Sequence, residues 1–527
     1  MLLTAALTEQ ATRSPDGNWL SDSEGNTLTF GQAHANSLRA AGYFKRLNVQ
    51  RGDRVGVFLL NGCAFAIAWL GLGYLGATAV FLNTELRASF LRHQLIDSGL
   101  TIIVVDGELL SALAEIAEEV PELLMVIVVG GRDTAVTVPD RWQLLDWPDW
   151  SQQPDWEGPG PAPKDIACIM YTSGTSGPSK GVLMPHAHCA LYGIGTIKCL
   201  QLTQSDRYYI CLPLFHANGL LMQLGATLLA GIPAFVRRRF SASNWLTDIQ
   251  LNRLTVTNLL GASASFILSQ PASTQDQAHT LRAVLNAPSL ALHETQFRER
   301  FGVADVVSGF GMTEVNIPIW GRLGHFVPGA AGWTHEEHFE VCIADPETDQ
   351  ALPPGQVGEI LVRPKLPFGF MAGYYNAPAK TEEAWRNLWF HTGDAGTMRE
   401  DGLVTFVDRI KDCIRRRGEN ISATEVEAVV AALPGIEEVA AYAVPSDVPG
   451  GEDEVMLALV AKNGVAIDGA EILRMATAQL PRFAAPRYVK LLNTLPKTAT
   501  GKVQRAVLRK QGITDALDVG KTYRSNS

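Results

Sequence analysis

The first half of the chain alternates short apolar runs with amphipathic helical stretches, and that alternation limits the fold more than any other feature. The runs RVGVFLL at 54–60, TIIVV at 101–105 and LMVIVV at 124–129 are each too short for a helix. Strands of a parallel sheet, covered by helices on both faces, read as continuous apolar runs of this length. The expected fold class is therefore α/β with layered parallel sheets. Residues 142–163, rich in Trp, Pro, Gly, Asp and Gln, interrupt the rhythm and read as a surface connection into a strand at 166–171. A second break follows Asp408. The charged run DRIKDCIRRRGE leads into the helical pattern ISATEVEAVVAAL and then into apolar runs at 439–444 and 455–461. About a hundred residues of this α+β pattern suffice for a small independent unit. The expected division is 1–410, 411–512 and a frayed, weakly apolar tail at 513–527.

With 527 residues, 46% of them hydrophobic, the chain can bury a core large enough for more than one domain. A formal net charge of -10 argues against nucleic-acid binding, while leaving room for a local basic site that takes a phosphorylated ligand. Seven scattered cysteines form no CxxC pair and no zinc-spaced His/Cys cluster, which fits a reduced, cytoplasmic setting. The first residues, MLLTAALTEQATRSPDG, lack the basic lead and apolar length of a secretory signal. Residues 65–83 carry no charge and are long enough to raise the question of a membrane span. Gly71, Gly73 and Gly76 interrupt them, and a buried helix followed by a strand is expected in place of a span. A second uncharged stretch, 208–236, contains Pro213, His216, Asn218, Gln223 and Pro233, which suit a pocket wall and core.

The run YTSGTSGPSKG at 171–181 carries the first chemical signal. Glycine lets the backbone approach an anion, hydroxyls and amides donate to phosphate oxygens, and Lys180 adds a point charge. From Gly174 the chain reads GTSGPSKG, which is not the GxxxxGK[ST] of the P-loop kinases. Taken alone, the run is equally compatible with a solvated loop.

The order of its residues resembles the phosphate loop of the adenylate-forming enzymes, the superfamily of acyl-CoA synthetases, luciferases and peptide-synthetase adenylation domains. GFGMTE at 309–314 is similar to that superfamily's YGxTE segment, and TGD at 392–394, DR at 408–409, DRIKD at 408–412 and PKTATGK at 496–502 follow in the same order. The resemblance runs from TLTF at 27–30 and GDRV at 52–55 to Lys502, nearly the whole chain. Within the superfamily, AWLGLGYLGATAVFLN, LRASFLRHQL and RRRGENIS most resemble acyl-CoA ligases related to carnitine-CoA ligase and the fatty-acid transport proteins.

That resemblance implies a large N-terminal domain of layered α/β subdomains with a β-barrel-like part, and a small mobile α+β C-terminal domain. It implies an ATP-dependent, AMP-forming acyl-CoA ligase. Acid and ATP give acyl-adenylate and pyrophosphate, and the CoA thiol then gives acyl-CoA and AMP, with the C-terminal domain rotating between the steps. Thr172, Ser173, Gly174, Thr175, Ser176, Gly177 and Lys180 would grip the β- and γ-phosphates. Gly309, Phe310, Gly311 and Met312 would belong to the cofactor site, with Phe310 stacked on the adenine where relatives commonly have Tyr. Thr313 would contact phosphate, Glu314 would bind Mg2+, and Asp394 and Arg409 would hold the ribose. Asn286, Ala287 and Pro288 stand beside the adenine where many relatives have Gly-Gly-Ala-Pro or Gly-Ser-Ala-Pro. Lys502 would bridge the reacting carboxylate and the α-phosphate. Lys411 takes the hinge position, and the loop after it, with Arg415, Arg416, Arg417, Gly418 and Glu419, would line the thiol tunnel. Its arginines would meet CoA phosphates, or form a solvated basic run. Phe483 falls in a loop that contacts the adenine of CoA in some relatives, and His216, in LPLFHANG, would border the acyl pocket and gate it.

The apolar stretches GLLM at 219–222 and LLGASASF at 259–266 point to a largely apolar acid, whether fatty, aromatic or polycyclic. CoA is the expected acceptor. A carrier protein, whose phosphopantetheine presents the same reactive end, is the nearest alternative, and a catalytically silent acyl-binding or transport protein is the third reading. Lys180, Glu314, Asp394, Arg409 and Lys502 together speak against silence. No pattern fixes the oligomeric state, and a homodimer is compatible with the sequence.

Overall fold

A computed structural model describes residues 2–172, 178–287, 291–325, 327–409, 414–416, 419–421, 423–447, 452–497, 503 and 505–520. The three apolar runs of the first half are strands Arg54–Phe58, Ile102–Asp106 and Met125–Val129. With Thr78–Phe81 and Ile166–Thr172 they pair in parallel at the centre of an eight-stranded sheet, as expected for an α/β layer. A second sheet, of seven strands, is parallel from Asp305–Val307 across to Asn18–Asp22. The third is antiparallel; its strands include Gly309–Met312, Asn316–Trp320, Trp389–Met398 and Leu403–Arg409.

The uncharged stretch at 65–83 resolves as anticipated. Helix Cys63–Leu75 is buried at every residue except Ala64, and Gly76, at φ 79°, ends it in the left-handed conformation before strand Thr78–Phe81. An all-round apolar helix must be covered on every side, and here protein covers it. Each large apolar side chain sequestered in this way contributes about 1.5–3 kcal/mol. Among the described residues, no helix is long and apolar enough to cross a membrane.

Two local expectations change. Within the expected surface connection, Gln143–Asp146 forms an edge strand parallel to Met125–Val129, and Trp150 is buried against Trp147 at a ring-centroid distance of 4.7 Å. An edge strand needs one neighbour only, so polar residues do not exclude it. The tail, expected to fray, supplies strand Leu517–Asp518, which pairs with Tyr488–Leu491. Asp518 lies 3.0 Å from the guanidinium of Arg487, an anchor that hydropathy does not reveal.

The C-terminal residues form a four-stranded sheet, of which Ile436–Val444 and Glu454–Ala461 are the long strands, with helices Ala423–Ala431 and Gly469–Gln479. Ahead of it, Ile414–Arg416 and Glu419–Ile421 pair as a separate two-stranded ribbon.

Candidate functional site

Parallel strands leave their loops at their C-terminal ends, where ligands of open α/β sheets bind. Thr172 ends one such strand and is the cross-strand partner of Lys180, so the mouth of the loop expected to grip phosphate is fixed by pairing. Ser173, Gly174, Thr175, Ser176 and Gly177 lie outside the described residues. The Lys180 ammonium stands 4.1 Å from the ring centroid of Tyr374, a cation–π arrangement. The Tyr374 hydroxyl donates to Oε1 of Glu314 at 2.9 Å, and Thr172 Oγ1 donates to the same oxygen at 3.4 Å. Glu314 is only 4% exposed. Burial, and then the charge and hydrogen bond of Glu314, push the Tyr374 phenol well above its ordinary value, so the hydroxyl stays protonated as a donor. One buried carboxylate thus gathers three segments that the chain keeps far apart.

The GFGMTE segment is held from the other side by helix His186–Leu200. His188 Nε2 lies 2.9 Å from the Thr313 carbonyl and its Nδ1 lies 2.8 Å from the Gly369 carbonyl. Tyr192 donates to the Met312 carbonyl at 2.9 Å. Burial pulls the His188 imidazole below its ordinary pKa, with the two carbonyls opposing. Gly309–Met312 returns antiparallel to Asn316–Trp320, and a Cβ on Gly311 would lie 2.3 Å from the Asn316 carbonyl oxygen, so that position requires glycine. Phe310 stacks on Phe406, with centroids 6.2 Å apart and planes at 24°.

Asp394 and Arg409 stand opposite one another in the register of Trp389–Met398 and Leu403–Arg409. Asp394 is 2% exposed. The hairpin thereby brings together two residues expected to share the ribose. Asn286 ends strand Ala283–Asn286 and is equally buried; neither its amide oxygen nor its amide nitrogen finds a hydrogen-bond partner among the described residues. Ala287 donates its N–H to the Leu259 carbonyl at 3.2 Å, and Pro288 lies outside the described residues.

His216 meets the C-terminal ribbon. Its Nε2 is 2.7 Å from Glu419 Oε1, the oxygen that also accepts from Asn83 Nδ2 at 3.2 Å. Arg415 pairs with Glu452 at 3.0 Å. Arg416 is buried, with its guanidinium 3.2 and 2.6 Å from the carbonyls of Phe483 and Ala485 and 2.6 Å from Glu454. Phe483 is buried in an apolar cluster with Val426 and Leu480. In this structure Arg416 and Phe483, both expected near CoA, turn their side chains into the C-terminal core. Lys411, Arg417, Gly418 and Lys502 lie outside the described residues. Tyr374, His188, Asn83 and Glu425 enter the site through tertiary contacts that no local spacing announces; only GYYN, beside the loop's partner strand, offered a textual cue for Tyr374.

The family model of the AMP-binding enzyme matches residues 7–375, and that of the AMP-binding enzyme C-terminal domain matches residues 425–502. Long-chain fatty acid transport protein 1 of Mus musculus is 30% identical over an alignment covering 95% of this chain and 81% of that protein. The medium/long-chain-fatty-acid–CoA ligase FadD17 of Mycobacterium marinum is 31% identical, with 91% of this chain and 90% of that one covered. The amide bond synthetase McbA of Marinactinospora thermotolerans has the same fold, with a TM-score of 0.82 over 97% of this chain and 99% of that chain, at 23% identity. Matched over more than half its length by the first of these models, the chain belongs to the AMP-binding enzymes, in the adenylate-forming acyl-CoA ligase family.

Proposed function

We propose that this chain activates a largely apolar carboxylic acid with ATP and Mg2+ and passes the acyl group to the thiol of CoA. The observation that carries the reading is the Glu314 carboxylate, buried and bonded by Thr172 and Tyr374 beside Lys180. Making a carboxylate oxygen a good leaving group by transfer to an α-phosphate demands charge neutralisation and alignment around a triphosphate. A single carboxylate beside phosphate oxygens suits Mg2+, which keeps several waters and takes few protein ligands. When bound there, the ion would neutralise phosphate charge.

Lys180 and the loop before it hold the pyrophosphate that leaves, and Thr313 lies against the phosphates. Asp394 and Arg409 take the ribose. Phe310 offers the base a ring already supported by Phe406, and the buried amide of Asn286, without a hydrogen-bond partner among the described residues, supports a polar contact next to the base. Lys502 bridges the carboxylate and the α-phosphate during adenylation. A hinge at Lys411, between a unit at 1–410 and one at 411–512, then swings the ribbon that carries Glu419 toward His216, where the thiol enters. The 2.7 Å contact between those two side chains supports a thiol-transfer pose. The names of the fatty-acid relatives, together with the apolar stretches at 219–222 and 259–266, favour a fatty acid.

Acid-dependent exchange of pyrophosphate into ATP, measured across straight-chain acids from octanoate to hexadecanoate and a panel of aromatic acids, tests the first step. Exchange, followed on adding CoA by equal amounts of AMP and acyl-CoA, is the expected result. Release of ADP, or no exchange with any acid, overturns the reading. Adenylate that accumulates without thioester transfers the second step to a carrier protein.

A further inference from the structure

Ser179, the residue before strand Lys180–Pro185, is held from three directions. Its carbonyl lies 2.9 Å from His93 Nε2, and its hydroxyl accepts from Gln94 Nε2 at 3.4 Å. Its N–H donates to Oε1 of Glu425 at 2.5 Å. Glu425 lies in the first turn of helix Ala423–Ala431, 246 residues further along the chain. A carboxylate placed on a backbone N–H of a Ser/Thr/Gly loop does what a phosphate oxygen does there: it brings negative charge and accepts the bond.

We infer that Glu425 is a positioning residue that takes the place of departed phosphates on the loop, so that the C-terminal part seats in this pose only when the loop is vacant. The inference rests on the phosphate-gripping reading of residues 171–181 given above. The β- and γ-phosphates and the Glu425 carboxylate are like charges competing for one donor. Linkage makes the competition reciprocal: whatever factor bound phosphate costs the seated pose, the seated pose costs bound phosphate. Glu419, on His216, and Glu425, on Ser179, are six residues apart on the same segment, so both contacts are made or lost in one movement. The departure of pyrophosphate would thereby license the approach of the thiol-transfer face. Mutual exclusion of this kind prevents the thiol tunnel from assembling over an unreacted ATP.

The test is calorimetric titration of the full chain with ATP in excess Mg2+ and, separately, with AMP. Glu425→Ala removes the competitor, so it is expected to bind ATP about fivefold more tightly than wild type. AMP, which has no β- or γ-phosphate, is expected to bind the variant and the wild type within twofold of each other. Glu425→Gln, compared at pH 8 where the wild-type carboxyl is ionised in the seated pose, keeps an acceptor but loses the charge; it falls between the two for ATP and carries the test if the alanine variant does not fold. A merely structural role for Glu425 would move both ligands together, and that result overturns the proposal, as does an unchanged ATP affinity in both variants. A wild type that binds neither nucleotide overturns the phosphate reading itself, and the proposal with it.

Discussion

The imidazole of His216 and the carboxylate of Glu419 meet at 2.7 Å, across 203 residues of sequence. Burial alone would lower the histidine pKa. The charge and hydrogen bond of Glu419 outweigh burial, with Arg415 opposing and Glu85 assisting, so the pKa is raised. A histidine raised in one pose contributes its full stabilisation of that pose below the ordinary value of about 6.5, and loses it as pH climbs through the raised value. Glu425 shifts in the same sense for another reason: burial pushes its carboxyl up to about 7, against the Ser179 N–H. The seated pose therefore takes up a proton there and weakens between the ordinary carboxylate range and about 7. Fluorescent labels on the two units are expected to report a seated fraction that falls as pH rises. Glu419→Gln should flatten the upper part of that curve and Glu425→Gln the lower part. An unchanged curve in both variants would remove these contacts from the docking energetics.

Tyr374 ties Lys180 to Glu314 by two different interactions, and substitutions separate them. Tyr374→Phe keeps the ring under the ammonium and deletes the hydroxyl that bonds a buried carboxylate. Losing such a donor costs about 1–3 kcal/mol, and a matching drop in melting free energy is expected, with adenylation reduced about tenfold. Tyr374→Leu also removes the cation–π contact and should raise the KM for ATP beyond the phenylalanine variant. Pyrophosphate exchange with thermal melting checks both. Equal KM values in the two variants would show that the ring does not orient Lys180.

His188 should behave as a structural bracket. Its ring stands between the carbonyls of Thr313 and Gly369, and its own backbone carbonyl accepts from Asn316 Nδ2 at 3.0 Å. His188→Ala strands at least one buried carbonyl, at a cost of about 1–3 kcal/mol. Because the bracket ends on the residue next to Glu314, the denaturation midpoint and the exchange rate are both expected to fall. Thioester formation from supplied acyl-adenylate should suffer less.

What could be read before folding follows from the range of each interaction. The apolar runs became strands because burial on both faces is a local demand, written into consecutive residues. Asp394 and Arg409 were legible only as separate short motifs, yet the hairpin sets them opposite one another because a register shift between Ala395 and Gly396 moves the pairing begun at the turn along by one residue. By contrast, the bonds of Tyr374 to Glu314, of His188 to Thr313 and of Glu425 to Ser179 span 60, 125 and 246 residues. No local period encodes such partners; they are set by how the sheets and the C-terminal residues pack. The Leu517–Asp518 strand failed to register in composition for the same reason, since its anchor is a distant arginine.

Gly311 gives the sharpest test of the turn that presents Thr313 and Glu314. An added Cβ would lie 2.3 Å from the Asn316 carbonyl oxygen and 2.4 Å from Ile317 Cδ1. The isoleucine methyl can rotate away, whereas the carbonyl belongs to the antiparallel partner strand and cannot. Asn316 is itself constrained: it sits at φ 68° and its amide is tied to the His188 carbonyl. Relief must therefore come from opening the Gly309–Met312 pairing, which displaces the residues that follow it. Gly311→Ala is expected to lower pyrophosphate exchange about a hundredfold, since an ångström of misplacement costs that much in an aligned site. Circular dichroism should remain native. Gly131→Ala, at a position where an added methyl meets nothing within 4 Å, is the matched control and should exchange at the wild-type rate. Wild-type exchange in Gly311→Ala would mean that the turn tolerates a shifted strand, and that Glu314 is positioned by Tyr374 and Thr172 alone.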